Sequence, residues 1–175
     1  MKKILALLLA LFCGATLFAA RGKTTPSGWF DDYEAAREKA RRENKPMLLL
    51  FTGSDWCGFC IRLRKNVLEK SDFKGFARKN LILVYIDSPK RTKLPKALVE
   101  QNRALKAKFG AGGGVPETLI VSADEEVIGK IGGCPKNPKE YLKRLRAIVR
   151  KGGSSGGGGS TDGDTPPPRR KRDRK

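Results

Sequence analysis

The 175-residue sequence predicts an α/β fold in which a central mixed sheet is flanked by helices. Two stretches typical of buried strands, "KPMLLLFTG" and "LILVYID", alternate with amphipathic helical segments. Further along, "ETLIVSA" and "EEVIGKIGG" are joined by a short polar turn, as in a hairpin. Because helices separate the early strands, we expect those strands to run parallel and the last two to run antiparallel.

The helices follow from the spacing of apolar residues and from their end signals. "DDYEAAREKARREN" begins with acidic residues, which favour a helix start, and precedes the first strand. A helix is expected directly after Cys57, and "SDFKGFARKN" predicts one or two further helical turns. "LPKALVEQNRALKAKFG" predicts a helix that ends at Gly110, and "NPKEYLKRLRAIVRK" closes the fold with an amphipathic helix.

Both ends of the chain are predicted to lie outside this fold. Residues 1–20 join a basic start to an apolar run and small residues, which is typical of a secretory signal peptide. Lipidation at Cys13 and retention as a membrane anchor are the alternatives. Residues 21–28 read as a linker, 29–151 as the folded domain and 152–175 as a disordered Gly/Ser/Pro-rich basic tail. We therefore expect a periplasmic or otherwise extracytoplasmic protein, where disulfides persist.

Composition narrows the possible chemistry and partners. The chain has no histidine, which excludes Ser-His-Asp and Cys-His catalysis and removes the commonest metal ligand. Its formal net charge is +19, of which residues 21–150 carry +13. Such a charge suits acidic protein substrates or an anionic envelope surface. Binding to nucleic acid is a less favoured interpretation of this charge, because the protein is predicted to be exported.

The stretch "DWCGFC" lies where a buried strand ends and a helix begins. A helix N-terminus stabilises a thiolate, so Cys57 is the predicted nucleophile and Cys60 the resolving thiol. A zinc site would need two more ligands, with only Cys134 left in the domain, and a structural disulfide closing so short a loop would stabilise little. We predict no metal and no cofactor. Cys134 is interpreted as a partly buried thiol, with a regulatory or intermolecular role as the alternative.

With "GVPET" downstream, the strand–"WCGFC"–helix pattern resembles the thioredoxin superfamily, and its secreted bacterial members in particular. The resemblance covers about residues 29–151. It implies a thioredoxin-like fold, a cis peptide bond before Pro116 opposite the cysteine pair, and an extended substrate pairing with the backbone of Val115. It implies Val115 and Pro116 as substrate-binding residues. Trp56, Gly58 and Phe59 are added to them because they lie beside and between the cysteines.

The sequence departs from that family at the buried acid. Cytosolic thioredoxins carry an acid in the strand before the cysteine pair and a partner lysine in the next strand. The matching positions here are Phe51 and about Leu83, both apolar. Glu117 and Asp55 are the candidate replacements in a proton relay, and Glu117 is favoured by its position after Pro116.

These observations predict an exported thiol-disulfide oxidoreductase acting on protein disulfides or dithiols with an upstream redox partner. Reductases, oxidases and isomerases share this layout, and the resemblance favours reduction or general interchange. The alternative is a thioredoxin-fold binding module that its basic tail tethers to a partner or an anionic envelope surface.

Overall fold

The computed structural model describes residues 24–154, which contain five α-helices and four strands. The predicted signal peptide and almost all of the predicted tail lie outside these residues. In chain order the elements are α1 (Tyr33–Glu43), β1 (Met47–Thr52), α2 (Gly58–Leu63), α3 (Ser71–Asn80), β2 (Ile82–Asp87), α4 (Lys96–Lys108), β3 (Glu117–Val121), β4 (Val127–Gly132) and α5 (Pro138–Ser154). None of the helices in the described part of the chain is both long and apolar enough to cross a membrane.

The sheet is mixed, as the sequence predicts, with strand order β2-β1-β3-β4. β1 pairs in parallel with β2, and the β3–β4 hairpin adds antiparallel strands on the other side. Phe30 makes one further parallel bridge to Val84, beyond β2. All six residues of β1 are buried because this strand has neighbours on both edges and helices on both faces.

The core has two halves, one on each face of the sheet, and the alternation of side chains along β1 divides them. Leu48 and Leu50 face the half formed with α3 and α5, where Phe73 and Tyr141 are fully buried. The other half lies beneath α1 and α4 and is formed by the residues Tyr33, Ala36, Ala40, Met47, Leu49, Phe51, Leu105 and Leu119, among others.

Local signals at the start of α1 match the prediction. The Asp32 carboxylate accepts a hydrogen bond of 3.0 Å from the backbone N–H of Ala35, which makes Asp32 the N-cap. The helix ends at Asn44, which takes a left-handed conformation with φ of 49°. A short connection after Asn44 leads into β1, and the carboxyl end of β1 precedes the cysteine motif.

The helix after Cys57 differs from the sequence prediction in one respect. α2 does not continue as a regular α-helix but passes into a π-helical segment, Arg64–Leu68, before α3 begins. Val67 and Leu68 in this segment are buried. Only the wider turn differs from the prediction, which is a helix with apolar contacts at these two residues.

Candidate active site

Cys57 and Cys60 are joined by a disulfide at the end of β1, with their Cα atoms 5.2 Å apart. Cys57 is the N-cap of α2, and its Sγ accepts a hydrogen bond of 3.2 Å from the backbone N–H of Cys60. Both side chains are buried, with 7% of Cys57 and 4% of Cys60 exposed. In the reduced protein, this N–H and the helix start are placed to stabilise a thiolate on Cys57.

The backbone opposite the disulfide is formed by Val115 and Pro116. Their peptide bond is cis, as expected from the sequence. The Sγ atom of Cys57 lies 3.5 Å from the carbonyl oxygen of Val115. Pro116 is buried, whereas Val115 is partly exposed. The next carbonyl, that of Pro116, accepts a 2.8 Å hydrogen bond from the N–H of Gly133, which fastens this turn to the end of β4.

Two aromatic side chains flank the cysteines and are exposed to solvent. Trp56 is 41% exposed and Phe59 is 57% exposed, with a cation over each ring. Lys90 Nζ lies 4.5 Å from the Trp56 ring centroid, and the guanidinium of Arg62 lies 5.1 Å from that of Phe59. Such contacts hold cations beside an aromatic face. Gly58, between the cysteines, is also exposed.

Trp56 is held in place by two specific contacts. Its indole Nε1–H donates a 2.8 Å hydrogen bond to the carbonyl oxygen of Ser88. Its ring lies against Gly53, where an added Cβ would be 2.5 Å from the indole Cε2. Any larger residue at position 53 would therefore have to displace the indole. The conformation of Trp56 is accordingly determined by β1 and by the loop after β2 together.

Asp55 organises the segment that follows β2. Its carboxylate accepts hydrogen bonds of 2.8–2.9 Å from the backbone N–H groups of Lys90, Arg91 and Thr92. Burial opposes ionisation here, but these three amides outweigh it and hold the pKa of Asp55 below its ordinary value. Asp55 therefore bridges the cysteine motif to residues 88–96, a stretch that we call the basic loop.

Glu117 follows Pro116 and is almost completely buried, with 2% of its surface exposed. Its Oε1 atom forms an ion pair with Nζ of Lys130 on β4, which is itself about half exposed. Its Oε2 atom is buried and has no hydrogen-bond partner among the described residues. Glu117 is opposite Phe51 in the β1–β3 register, so the carboxylate and the apolar side chain lie on the same face of the sheet.

Several residues that support the site are absent from the sequence prediction. Asp87, at the end of β2, is buried and accepts hydrogen bonds from the N–H (2.9 Å) and the Oγ (2.5 Å) of Ser54. Asn102 on α4 donates to the Asp87 carbonyl at 2.9 Å. Lys130, the ion-pair partner of Glu117, is a further residue of this kind. Lys130 carries no signal of this role in the sequence, because its pairing with Glu117 depends on the β3–β4 register, in which Lys130 is opposite Leu119.

Cys134 is a free, partly buried thiol, in agreement with its interpretation from the sequence. Its Sγ lies 3.8 Å from the carbonyl oxygen of Pro135. The residue before it, Gly133, is the one whose N–H reaches Pro116. The third cysteine of the folded part is therefore in the turn that borders the cis-proline.

Comparisons with known proteins agree with this geometry. A family model described as thioredoxin-like matches residues 28–123. The disulfide bond reductase DsbH of Chlamydia pneumoniae is 31% identical over 121 residues, covering 69% of this chain and 72% of that relative. The thioredoxin-related protein DsbJ of the same organism is 34% identical over 131 residues. That match covers 74% of this chain but only 37% of the longer relative.

Solved structures give the same result. A structure of a DsbH oxidoreductase superposes with a TM-score of 0.66 at 29% identity, covering 78% of this chain and 94% of the other. A thioredoxin from Thermus thermophilus superposes with a TM-score of 0.57 at 20% identity, covering 74% and 92%. The second likeness is one of fold alone.

Proposed function

The chain belongs to the thioredoxin superfamily of thiol-disulfide oxidoreductases, and we propose that it reduces or exchanges protein disulfides outside the cytoplasm. The observation that carries this proposal is the Cys57–Cys60 disulfide at a helix N-terminus, opposite the Val115–Pro116 turn. The name of the relative DsbH, a disulfide bond reductase, favours the direction of reduction for this chain as well.

In this proposal the reduced protein acts in two displacement steps. The Cys57 thiolate attacks one sulfur of the substrate disulfide, forms a mixed disulfide and releases the other substrate sulfur as a thiolate. The Cys60 thiol then loses its proton and attacks Cys57 Sγ, which releases the second substrate sulfur. The substrate gains two electrons and two protons, and the protein is left with the Cys57–Cys60 disulfide. An upstream dithiol must then reduce that disulfide for another turnover.

The surroundings of the cysteines support this assignment of roles. Cys57 has the N–H of Cys60 and the helix start to stabilise its thiolate. The exposed Trp56, Gly58 and Phe59 form the side from which a substrate can approach, and the partly exposed Val115 offers a backbone edge. These four residues and Pro116 are our proposed substrate-binding set.

Glu117 is our proposed proton acceptor for Cys60. It is buried, it follows Pro116 directly, and one of its carboxylate oxygens has no hydrogen-bond partner in the described chain. Lys130 compensates its charge through the other oxygen. Asp55 suits the role less well, because its carboxylate is already bound by three amides of the basic loop. The acid that relatives place on β1 would thus be replaced by one on β3.

The central test separates the two cysteines by substitution to serine. Cys57→Ser should abolish reduction of a disulfide substrate such as insulin, because it removes the attacking sulfur. Cys60→Ser should instead accumulate a mixed disulfide with the substrate, visible by non-reducing electrophoresis and mass spectrometry. Cys134→Ser is the matched control and should retain activity. Full activity of Cys57→Ser would contradict the proposal.

Export and tethering are further parts of the proposal, carried by the sequence of residues 1–20 and 152–175. We expect the mature protein in the periplasmic fraction, with a new N-terminus near residue 20 by mass spectrometry. Deletion of residues 152–175 should reduce retention on anionic envelope vesicles while leaving insulin reduction intact. Recovery of the full-length chain in the cytoplasm would contradict the export assignment.

A further inference from the structure

The basic loop, residues 88–96, is a strongly charged surface that Asp55 and Trp56 attach to the cysteine motif. It contains Lys90, Arg91, Lys93 and Lys96 and no acidic residue. All four cations are exposed, and no carboxylate in residues 24–154 forms an ion pair with the first three. Lys96 makes only a long contact of 3.9 Å with Glu100. The carboxylate of Asp55 binds the backbone of this loop, through three of its amides.

This loop is positioned by the active-site motif itself. Asp55, two residues before Cys57, binds three consecutive amides of the loop, and the indole of Trp56 donates to Ser88 at its start. Because the backbone takes up the Asp55 carboxylate, the cationic side chains of the loop remain available to solvent. Lys90 lies over the ring of Trp56, the residue before Cys57.

A groove of about 310 Å³ lies between this loop and α4. Its apolar lining comes from Pro89, Leu94 and Val99, the last of which is 50% exposed. Its other wall carries Arg103 and Lys106, which likewise have no ion pair among the described residues. The groove therefore combines an apolar floor with two cations on its α4 wall, and it begins at Ser88, the hydrogen-bond partner of Trp56.

We propose that the basic loop and this groove dock an acidic polypeptide segment next to the disulfide of a protein substrate. This inference rests on the proposed function and adds a substrate class to it. Acidic side chains pair with the unpaired cations, and an apolar side chain of the same segment fills the groove. Oppositely charged patches speed encounter and select partners, and they do so less at high salt. A polypeptide fits better than a flat lipid surface, because the apolar lining is concave and begins at Ser88, which binds the residue before Cys57.

The experiment compares two disulfide-bonded peptides that differ only in their flanks, Asp/Glu-rich in one and Asn/Gln-rich in the other. With the reduced full-length protein at low salt, we expect kcat/KM for the acidic peptide to be about ten-fold higher. The ratio should fall toward one in 0.5 M NaCl. In the variant K90E/R91E the ratio should fall to about one or below already at low salt.

A matched control carries the same change of charge on another face. K143E/R150E lies on α5, where both cations are exposed and line a groove beside Asp72. It should keep the preference for the acidic peptide, and circular dichroism should show both double variants folded. If the two variants lose the preference equally, total charge and not the loop is responsible, and the inference is overturned.

The remaining outcomes separate this inference from the proposed function. Reduction of both peptides at equal rates by the native protein overturns the docking site but leaves the oxidoreductase activity standing. Reduction of neither peptide contradicts the proposed function. If the native protein shows no peptide preference, yet K90E/R91E loses binding to phosphatidylglycerol vesicles and K143E/R150E does not, the loop recognises a membrane surface and the peptide assignment is wrong.

Discussion

The two sides of the Cys57–Cys60 disulfide are formed by different kinds of chemical group. On the proline side, Val115–Glu117, the backbone carbonyl of Val115 faces Cys57 Sγ and the carboxylate of Glu117 is buried. On the loop side, Trp56 and the basic loop present exposed rings and cations. The first side is tied into the sheet through β1 and β4, whereas the second is tied to the motif by hydrogen bonds from Asp55 and Trp56.

In our proposal, this difference separates the residues that carry the chemistry from those that select the substrate. The reacting sulfurs need a stable thiolate, a nearby backbone edge and a proton acceptor, all of which must be held rigidly in a dry setting. Choice among substrates needs exposed side chains that can differ between relatives without loss of fold. Substitutions on the proline side should therefore affect the rate of disulfide exchange or the global stability. Substitutions on the loop side should affect local order and the preference among substrates.

The largest effect is expected on the proline side, from removal of the proposed proton acceptor. Glu117→Gln should slow resolution of the mixed disulfide about a hundred-fold near neutral pH, which is the usual scale of general acid–base catalysis. The deficit should shrink at alkaline pH, where the Cys60 thiol loses its proton to solvent. Single-turnover rapid mixing across pH measures this. A rate reduced by the same factor at every pH would indicate a structural role only.

Loss of the ion pair between Glu117 and Lys130 should affect the free energy of unfolding more than the rate of disulfide exchange. Lys130→Met leaves the buried Glu117 carboxylate without its cation, and because Lys130 is half exposed we expect a loss of about 2 kcal/mol, below the range for a fully buried pair. Urea denaturation at neutral pH measures it. The double variant K130M/E117Q should recover most of the loss, since no unpaired charge remains. A single variant as stable as the native protein would show that the carboxylate needs no partner.

Gly53→Ala tests the junction between the two sides. The new Cβ would be 2.5 Å from the Trp56 indole, so the ring must move or β1 must shift, and overpacking of this kind costs about 1–3 kcal/mol. We expect a red-shifted tryptophan emission and a lower thermal midpoint. Gly58→Ala is the control, because an added Cβ there meets no atom within 4 Å. Unchanged emission in Gly53→Ala would mean that the ring is not held against position 53.

The smallest effect is expected from Asp55→Asn, which weakens the attachment of the basic loop. The pKa of Asp55 is held below its ordinary value near 3.8, so its stabilisation is present above that value and is lost as pH falls through the lower folded-state pKa. The difference in thermal midpoint between native and variant should be constant from pH 7 to pH 5 and disappear in stronger acid. A difference in thermal midpoint that grows as pH falls would contradict this prediction.

Much of the fold could be predicted from the sequence because its signals are local. The apolar run of β1, the Asp32 cap of α1 and the separation of parallel strands by helices all follow from residue order. The π-helical turn at Arg64–Leu68 could not be predicted, since it depends on how Val67 and Leu68 pack against residues far along the chain.

The candidate site divides in the same way. Cys57, Cys60 and Pro116 can be named from short motifs, and Trp56 and Phe59 from their adjacency to the cysteines. Asp55 is interpreted from the sequence as a candidate for the proton relay. Its attachment to the basic loop could not be predicted, because its partners Lys90, Arg91 and Thr92 are some 35 residues away. Lys130 and Ser88 carried no signal of a role, since each acts through one long-range contact.

By itself, then, the sequence determined the α/β class, the strand–cysteine–helix junction and the identity of the two thiols, all of which depend on neighbours along the chain. Only the tertiary structure decided that Glu117 is buried against Lys130 and that Asp55 fastens a basic loop beside Trp56. The physical reason is that strand register and loop closure bring together groups that are distant in sequence. Burial and charge pairing, which set their chemistry, exist only after that closure.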